Sequence, residues 1–312
     1  MNDKNGNSRS RMHGIWALTK RELKKWAKEP ILLVMAILQP LIWMGLFGKA
    51  MNLGAIFSSG NISLPDTIPI LGGYLIPSQP EPILVNGTAL SQMFANFGPN
   101  IMQNVFGVAD YFSYMSVGMI SFIVMFTTMF SGMSIVWDRR LGFLNKVLST
   151  PVSRGAIVLA KVLNATLRSM FQATIILGLA VIFGLQVSST FNVINILGVY
   201  AAIFLLCLGL SSVFLALALR STKWETQMAI VNLINLPLMF ASNTFFPISM
   251  MPDWIQAIAH LNPISYLTDA LRLLVVLPMD TSRLITDFTY LGIFAAIFST
   301  IGIVLSWRYL TK

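Results

Sequence analysis

Charge is scarce in this chain, and most of it carries one sign. Only 11% of the 312 residues are Asp, Glu, Lys or Arg, against roughly 25% in soluble domains. Hydrophobic residues reach 55% and the mean hydropathy is +0.72. A water-soluble globular fold is therefore excluded. The single cysteine, Cys207, rules out an intrachain disulfide, and its apolar surroundings make it a packing residue. With only His13 and His260 there is no H-E-x-x-H motif and no Cys/His metal cluster. No G-x-S-x-G elbow occurs. No phosphate loop occurs either, since Gly48-Lys49 lacks the upstream glycine and the following hydroxyl. Asp253 and Asp269 are the only acids that invite reading as a catalytic pair. Asp253 follows Pro252 as a helix N-cap would, and Asp269 stands one turn from Arg272, its expected partner. The first thirty residues hold no apolar run of the cleaved-signal type. No catalysis and no bound cofactor are expected on this chain.

What is present is a set of long apolar segments. Six reach the roughly 20 residues a membrane helix needs, near 31–49, 113–136, 166–186, 193–219, 226–246 and 288–307. In the third, Asn164, Arg168 and Gln172 make a helix that starts near Gly155 and enters the bilayer near Met170 the better fit. The charge asymmetry orients these spans. Eight Lys/Arg in the N-terminal arm, six in the second connection, two in the fourth and two at the C-terminus lie on one side. Only Lys49, Arg272 and Arg283 lie on the other, with seven acids. Positive residues mark the cytoplasmic face, so both termini are expected there, in a multi-pass plasma-membrane protein. The basic charge hugs the ends of the spans, which indicates topology and anionic lipid contact, not nucleic acid.

Two cytoplasmic stretches are amphipathic. In 13–29, Ile15, Trp16, Leu18, Leu23 and Trp26 oppose a Lys/Arg face ahead of Pro30, as in an interfacial helix. In 137–154, Leu141, Leu144 and Leu148 recur at helical spacing, with Phe143 and Val147 beside them. That stretch is too polar to span and too apolar for a free loop. It should lie on the bilayer or dock into a partner.

Outside, 50–112 is a long Gly-, Pro-, Asn- and Ser-rich loop whose Asn61 and Asn86 fit the glycosylation sequon. Residues 247–287 are too apolar for a solvated loop, yet Pro247, Pro252, Pro263 and Pro278 interrupt them. Two short helices that dip into the outer leaflet and return fit this pattern, with Asn262-Pro263 as the turn. Trp254 and Tyr266 would sit at the interface. Within the spans, Gln39, Thr127, Thr128, Asn232 and Asn235 are the polar exceptions. Each is either interhelical glue or part of a transport path.

Together these stretches resemble the type 2 ABC transporter permeases. Asp138-Arg139-Arg140-x-Gly142 through Ser149-Thr150-Pro151-x-Ser153-Arg154 is similar to that family's cytoplasmic coupling region. Phe246-Pro247, Pro252-x-Trp254, Asn262-Pro263-x-Ser265-Tyr266 and Asp269-x-x-Arg272 look like its external re-entrant segment. Lys20-Arg21-Glu22-Leu23 ahead of Pro30 resembles its interfacial helix. Two positions depart from the pattern: Ser242-Asn243, where Gly often follows Ser, and Asn145-Lys146, where acids are frequent.

The resemblance implies an all-α membrane domain over 1–312, with six spans, an interfacial helix, a coupling helix and an external re-entrant hairpin. It implies an exporter of lipid, glycolipid, polysaccharide or amphipathic drug. ATP and magnesium would be used by a separate cytoplasmic ATPase, present in two copies with two permeases. Arg139, Arg140, Leu141, Phe143, Leu144, Val147 and Leu148 would couple to that ATPase. Gln39, Asn232, Asn235, Asn243, Trp254, Tyr266, Asp269 and Arg272 would line the path or gate. A secondary transporter and a lipid-processing enzyme are the alternatives. The first lacks inverted repeats and a mid-membrane carboxylate here, the second a polar cluster at one depth.

Overall fold

The computed structural model describes residues 4–50, 67–70, 83–150, 153–221 and 223–311. Apart from one antiparallel ribbon, β1 (Thr67–Ile70) with β2 (Ile83–Asn86), the described regular structure is helical. Residues 51–66 and 71–82 of the long 50–112 connection, Asn61 among them, lie outside the described residues.

The helices in chain order are α1 (Lys4–Ala27), α2 (Pro30–Trp43), α3 (Gly87–Ile101), α4 (Tyr111–Phe130), α5 (Met133–Arg140), α6 (Phe143–Leu148), α7 (Arg154–Ile182), α8 (Val193–Arg220), α9 (Trp224–Phe240), α10 (Asp253–Ala259), α11 (Pro263–Val275) and α12 (Thr281–Thr311). Pro30 opens α2, where its missing N–H is no loss. Asp110 caps α4 by accepting from the Ser113 N–H, Ser153 caps α7 and Asn192 caps α8. Among the described residues, four stretches are long and apolar enough to cross a membrane: Met102–Arg140, Arg154–Ile182, Val193–Arg220 and Thr281–Tyr309. The apolar helix Leu33–Lys49 is shorter.

α4 is the hub, and nearly all of its residues are buried. It packs on α2, α7, α8, α9 and α11. Thr127 Oγ1 donates to Gln172 Oε1 at 2.5 Å, joining α4 to α7, while Thr128 turns back onto its own helix. α8 lies along α12 and buries Cys207 completely.

The third long apolar helix starts at Arg154, in keeping with the expected start near Gly155. Two boundaries differ from the sequence reading. The fifth apolar helix ends at Phe240, because Ala241–Phe246 is tied into turns whose carbonyls serve another helix. The 137–154 stretch is not one helix. Trp137–Arg140 ends α5, Gly142 adopts φ +70°, and α6 is a separate six-residue piece. A side chain at that φ would be strained, so glycine makes the break.

Candidate functional site: an elbow at the basic end and a clamp at the other

At the end carrying most of the basic residues, α1, α5 and α7 are locked by charge, and α6 packs against them. Lys161 of α7 lies 2.5 Å from Asp138 of α5 and 3.1 Å from Glu22 of α1. All three are buried. Arg21 adds a 2.9 Å contact to Glu22 and a looser 3.9 Å contact to Asp138, and its guanidinium lies 3.4 Å from the centre of the Phe143 ring. Buried charges persist only when paired and hydrogen-bonded. Here two acids share one lysine and one arginine. Arg139 donates to the Leu219 and Ser221 carbonyls at 2.7 and 3.2 Å, tying the elbow to the end of α8.

The seven residues assigned to ATPase coupling divide on this frame. Leu144 and Val147 are buried against Ile135, Val136, Ile157, Val158 and Leu215 of their own chain, with Phe143 and Leu148 half-buried beside them. Leu141 and Arg140 are exposed. The apolar face expected to enter a partner is thus occupied internally. The free face consists of Arg140, Leu141, Asn145, Lys146 and Ser149. The buried trio Glu22, Asp138 and Lys161 escaped the sequence reading, because nothing in spacing alone pairs positions on three helices.

At the other end, α11 is buried among α4, α8 and α12. Asn262 caps it by accepting from the Ile264 N–H, and also donates to the Leu238 and Ala241 carbonyls at 2.7 and 2.6 Å. One side chain therefore starts α11 and satisfies the end of α9. Arg272, 1% exposed, donates to the carbonyls of Asn243 (2.6 Å), Thr244 (2.9 Å) and Tyr114 (3.3 Å), and stacks 3.4 Å from the Tyr114 ring centre. Burial pulls its pKa down, while Tyr114, Asp269 and Tyr111 push the other way. Tyr111 and Tyr114 reinforce the same segment by donating to the Phe245 and Asn243 carbonyls. Gly118 is required here. A Cβ would stand 2.2 Å from the Thr244 oxygen.

The expected Asp269–Arg272 pair is therefore corrected. Asp269 accepts two hydrogen bonds from Arg283 of α12, at 2.8 and 2.9 Å. Arg272 faces inward, where backbone carbonyls disperse its charge. Asp253 is likewise the first residue of α10 and makes no side-chain cap. Tyr266 stacks on Tyr290 with centroids 3.8 Å apart and donates to the His260 carbonyl.

Asn243, Tyr266, Asp269 and Arg272 converge on one cavity of about 480 Å³, which Tyr114, Ser265, Arg283 and Asp287 also line. Trp254 is exposed on α10, outside the lining. Gln39 on α2 and Asn232 on α9 are exposed, and Asn235 is half-buried. These three lie on helices that flank α4 and are not part of the cavity lining.

A bundle of apolar helices with an elbow at one end and a clamped, broken helix pair at the other is a membrane permease architecture. The chain belongs to the ABC-2 type transporter family, whose profile matches residues 13–276. It is similar to transport permease ycf38 of Cyanophora paradoxa, with 26% identity over 261 residues covering 83% of this chain and 73% of the relative. The Pyropia yezoensis permease of that name gives 28% over 258 residues, 82% and 72% of the two chains. The daunorubicin resistance ABC transporter permease protein DrrB1 of Streptomyces coeruleorubidus gives 24% over 163 residues, 52% and 57%.

Proposed function

We propose that this chain is the membrane half of an ATP-driven exporter in the plasma membrane, moving an amphipathic drug, lipid or glycolipid outward. A separate cytoplasmic ATPase would supply the hydrolysis. Two copies of each subunit would form the working unit. Within the family match, the observation that carries this reading is the elbow. α6 packs on α5 and α7 through Leu144 and Val147 and meets Arg21 of α1 through Phe143, and buried ion pairs lock those three helices together, so a push on its free face moves three helices as one body. In this reading Arg140, Leu141, Asn145 and Lys146 touch the ATPase, while Leu144 and Val147 transmit the movement.

The proposed topology has six spans, built on α2, α4 with α5, α7, α8, α9 and α12, with both termini inside. α10 and α11 form a re-entrant pair at the external end, and Arg272 holds its inner limb to α4. Labelling of single cysteines at Asn86 and Lys146, with Cys207 replaced by alanine, tests this topology. An impermeant thiol reagent added outside whole cells should reach Asn86→Cys and spare Lys146→Cys. Equal labelling overturns the topology. ATP-dependent efflux from cells carrying the permease with its ATPase tests the direction, and uptake in place of efflux refutes it.

A further inference from the structure

A second cavity, of about 410 Å³, opens between α1 and the facing ends of α4, α5 and α7. Its walls combine Trp26, Phe130 and Trp137 with the cations Lys25 and Arg168. Two buried donors on this wall, Trp26 Nε1 and Arg168 Nε, have no acceptor among the described residues. Arg168 lies 5.2 Å from the centre of the Trp26 ring, and Phe171 packs on the other part of that ring edge-on. Glu22 also lines the cleft, with its Oε1 engaged by Lys161 and Arg21. Glu29 stands exposed at the rim.

A buried unpaired donor is costly, and more so when charged. Two such donors, on side chains that line one cleft, call for a strong oxyanion acceptor. Arginine's planar fork matches phosphate oxygens. The cleft borders the interfacial helix, and its indoles suit the depth of lipid headgroups. We propose that this cleft is a phosphate-binding site, formed by Arg168 and Trp26 with Lys25 at its mouth, and suited to the headgroup of a phospholipid. The cleft would hold phosphate whatever the chain transports.

Native mass spectrometry of the purified permease in a phosphate-free sugar detergent tests the site. Three probes are titrated: dioleoylphosphatidylglycerol, dioleoylglycerol, which lacks the phosphate, and soluble glycerol phosphate. One phosphatidylglycerol should be retained at least about tenfold more tightly than dioleoylglycerol. Arg168→Gln should remove that difference. Trp26→Phe keeps the ring and loses the N–H, so it should weaken retention about threefold even if Arg168→Gln folds poorly. Lys223→Gln, exposed elsewhere on the basic end, should change nothing. Glycerol phosphate binding as tightly as the lipid would keep the phosphate site and make its source free phosphate. Equal retention of both lipids, or unchanged retention in both Arg168→Gln and Trp26→Phe, overturns the proposal.

Discussion

Arg272 shows how far a single residue's role departs from its neighbours in sequence. Three residues from Asp269, it reads as half of an ion pair, but its guanidinium turns inward to three backbone carbonyls. The pattern of a helical pair is local, whereas these acceptors come from α4 and from the turn after α9. Only the fold brings them together. Hydrogen bonds to a charged group contribute about 1.5–3 kcal/mol each. Arg272→Lys keeps the charge but loses the fork, so it should lower stability by at least about 2 kcal/mol and reduce transport. Thermal unfolding of the two proteins in the same detergent checks this. Wild-type stability in the lysine variant would show that charge alone suffices. Arg283→Gln is the useful contrast. Its partner Asp269 is partly exposed, and exposed pairs contribute roughly 0–1 kcal/mol, so the loss there should be small.

At the scale of elements, the apolar periodicity of 137–154 was legible, and so was the stop before Pro151. The break at Gly142 was visible as a glycine, but its conformation was not. The direction of the apolar face was not legible at all, because one stripe fits a partner, a bilayer or the chain's own core equally well. The structure assigns Leu144 and Val147 to the core. A six-residue helix has no stability of its own, so this contact holds α6 in place. Leu144→Asp should bury an unpaired charge at a cost of about 3–5 kcal/mol. It should detach α6 and abolish coupling together with thermal stability. Leu141→Asp alters an exposed position and should leave the melting temperature within about 2 °C of wild type, since surface changes rarely exceed 0.5 kcal/mol. On the proposed function it should still weaken ATPase retention on copurification several-fold. Unchanged retention in Leu141→Asp would place the ATPase contact elsewhere.

For the whole molecule, membrane class was legible in composition and hydropathy, since a bilayer imposes long apolar helices. Which face of a span meets lipid is a different matter, because lipid, partner and core all accept the same side chains. α2 and α9 illustrate this. Both flank α4, and both leave large apolar side chains exposed, among them Val34, Met35 and Ile42 on α2 and Leu233 and Leu236 on α9. The polar residues Gln39 and Asn232 stand on these exposed surfaces, while α4 is almost wholly enclosed. Lipid alone is a poor neighbour for exposed amides at membrane depth. On the proposed function this surface faces the second permease, with the amides toward the path between the two copies. Leu233→Cys in a Cys207→Ala background should then yield a disulfide-linked dimer under mild oxidation. Ile285→Cys on α12, also exposed and on a helix that packs on α8 and α11, should remain monomeric. A Leu233→Cys dimer that also loses efflux and regains it on reduction would place relative motion of the two copies on the transport cycle. The reverse labelling pattern would put the dimer on the α12 side and leave Gln39 and Asn232 without a role in the path.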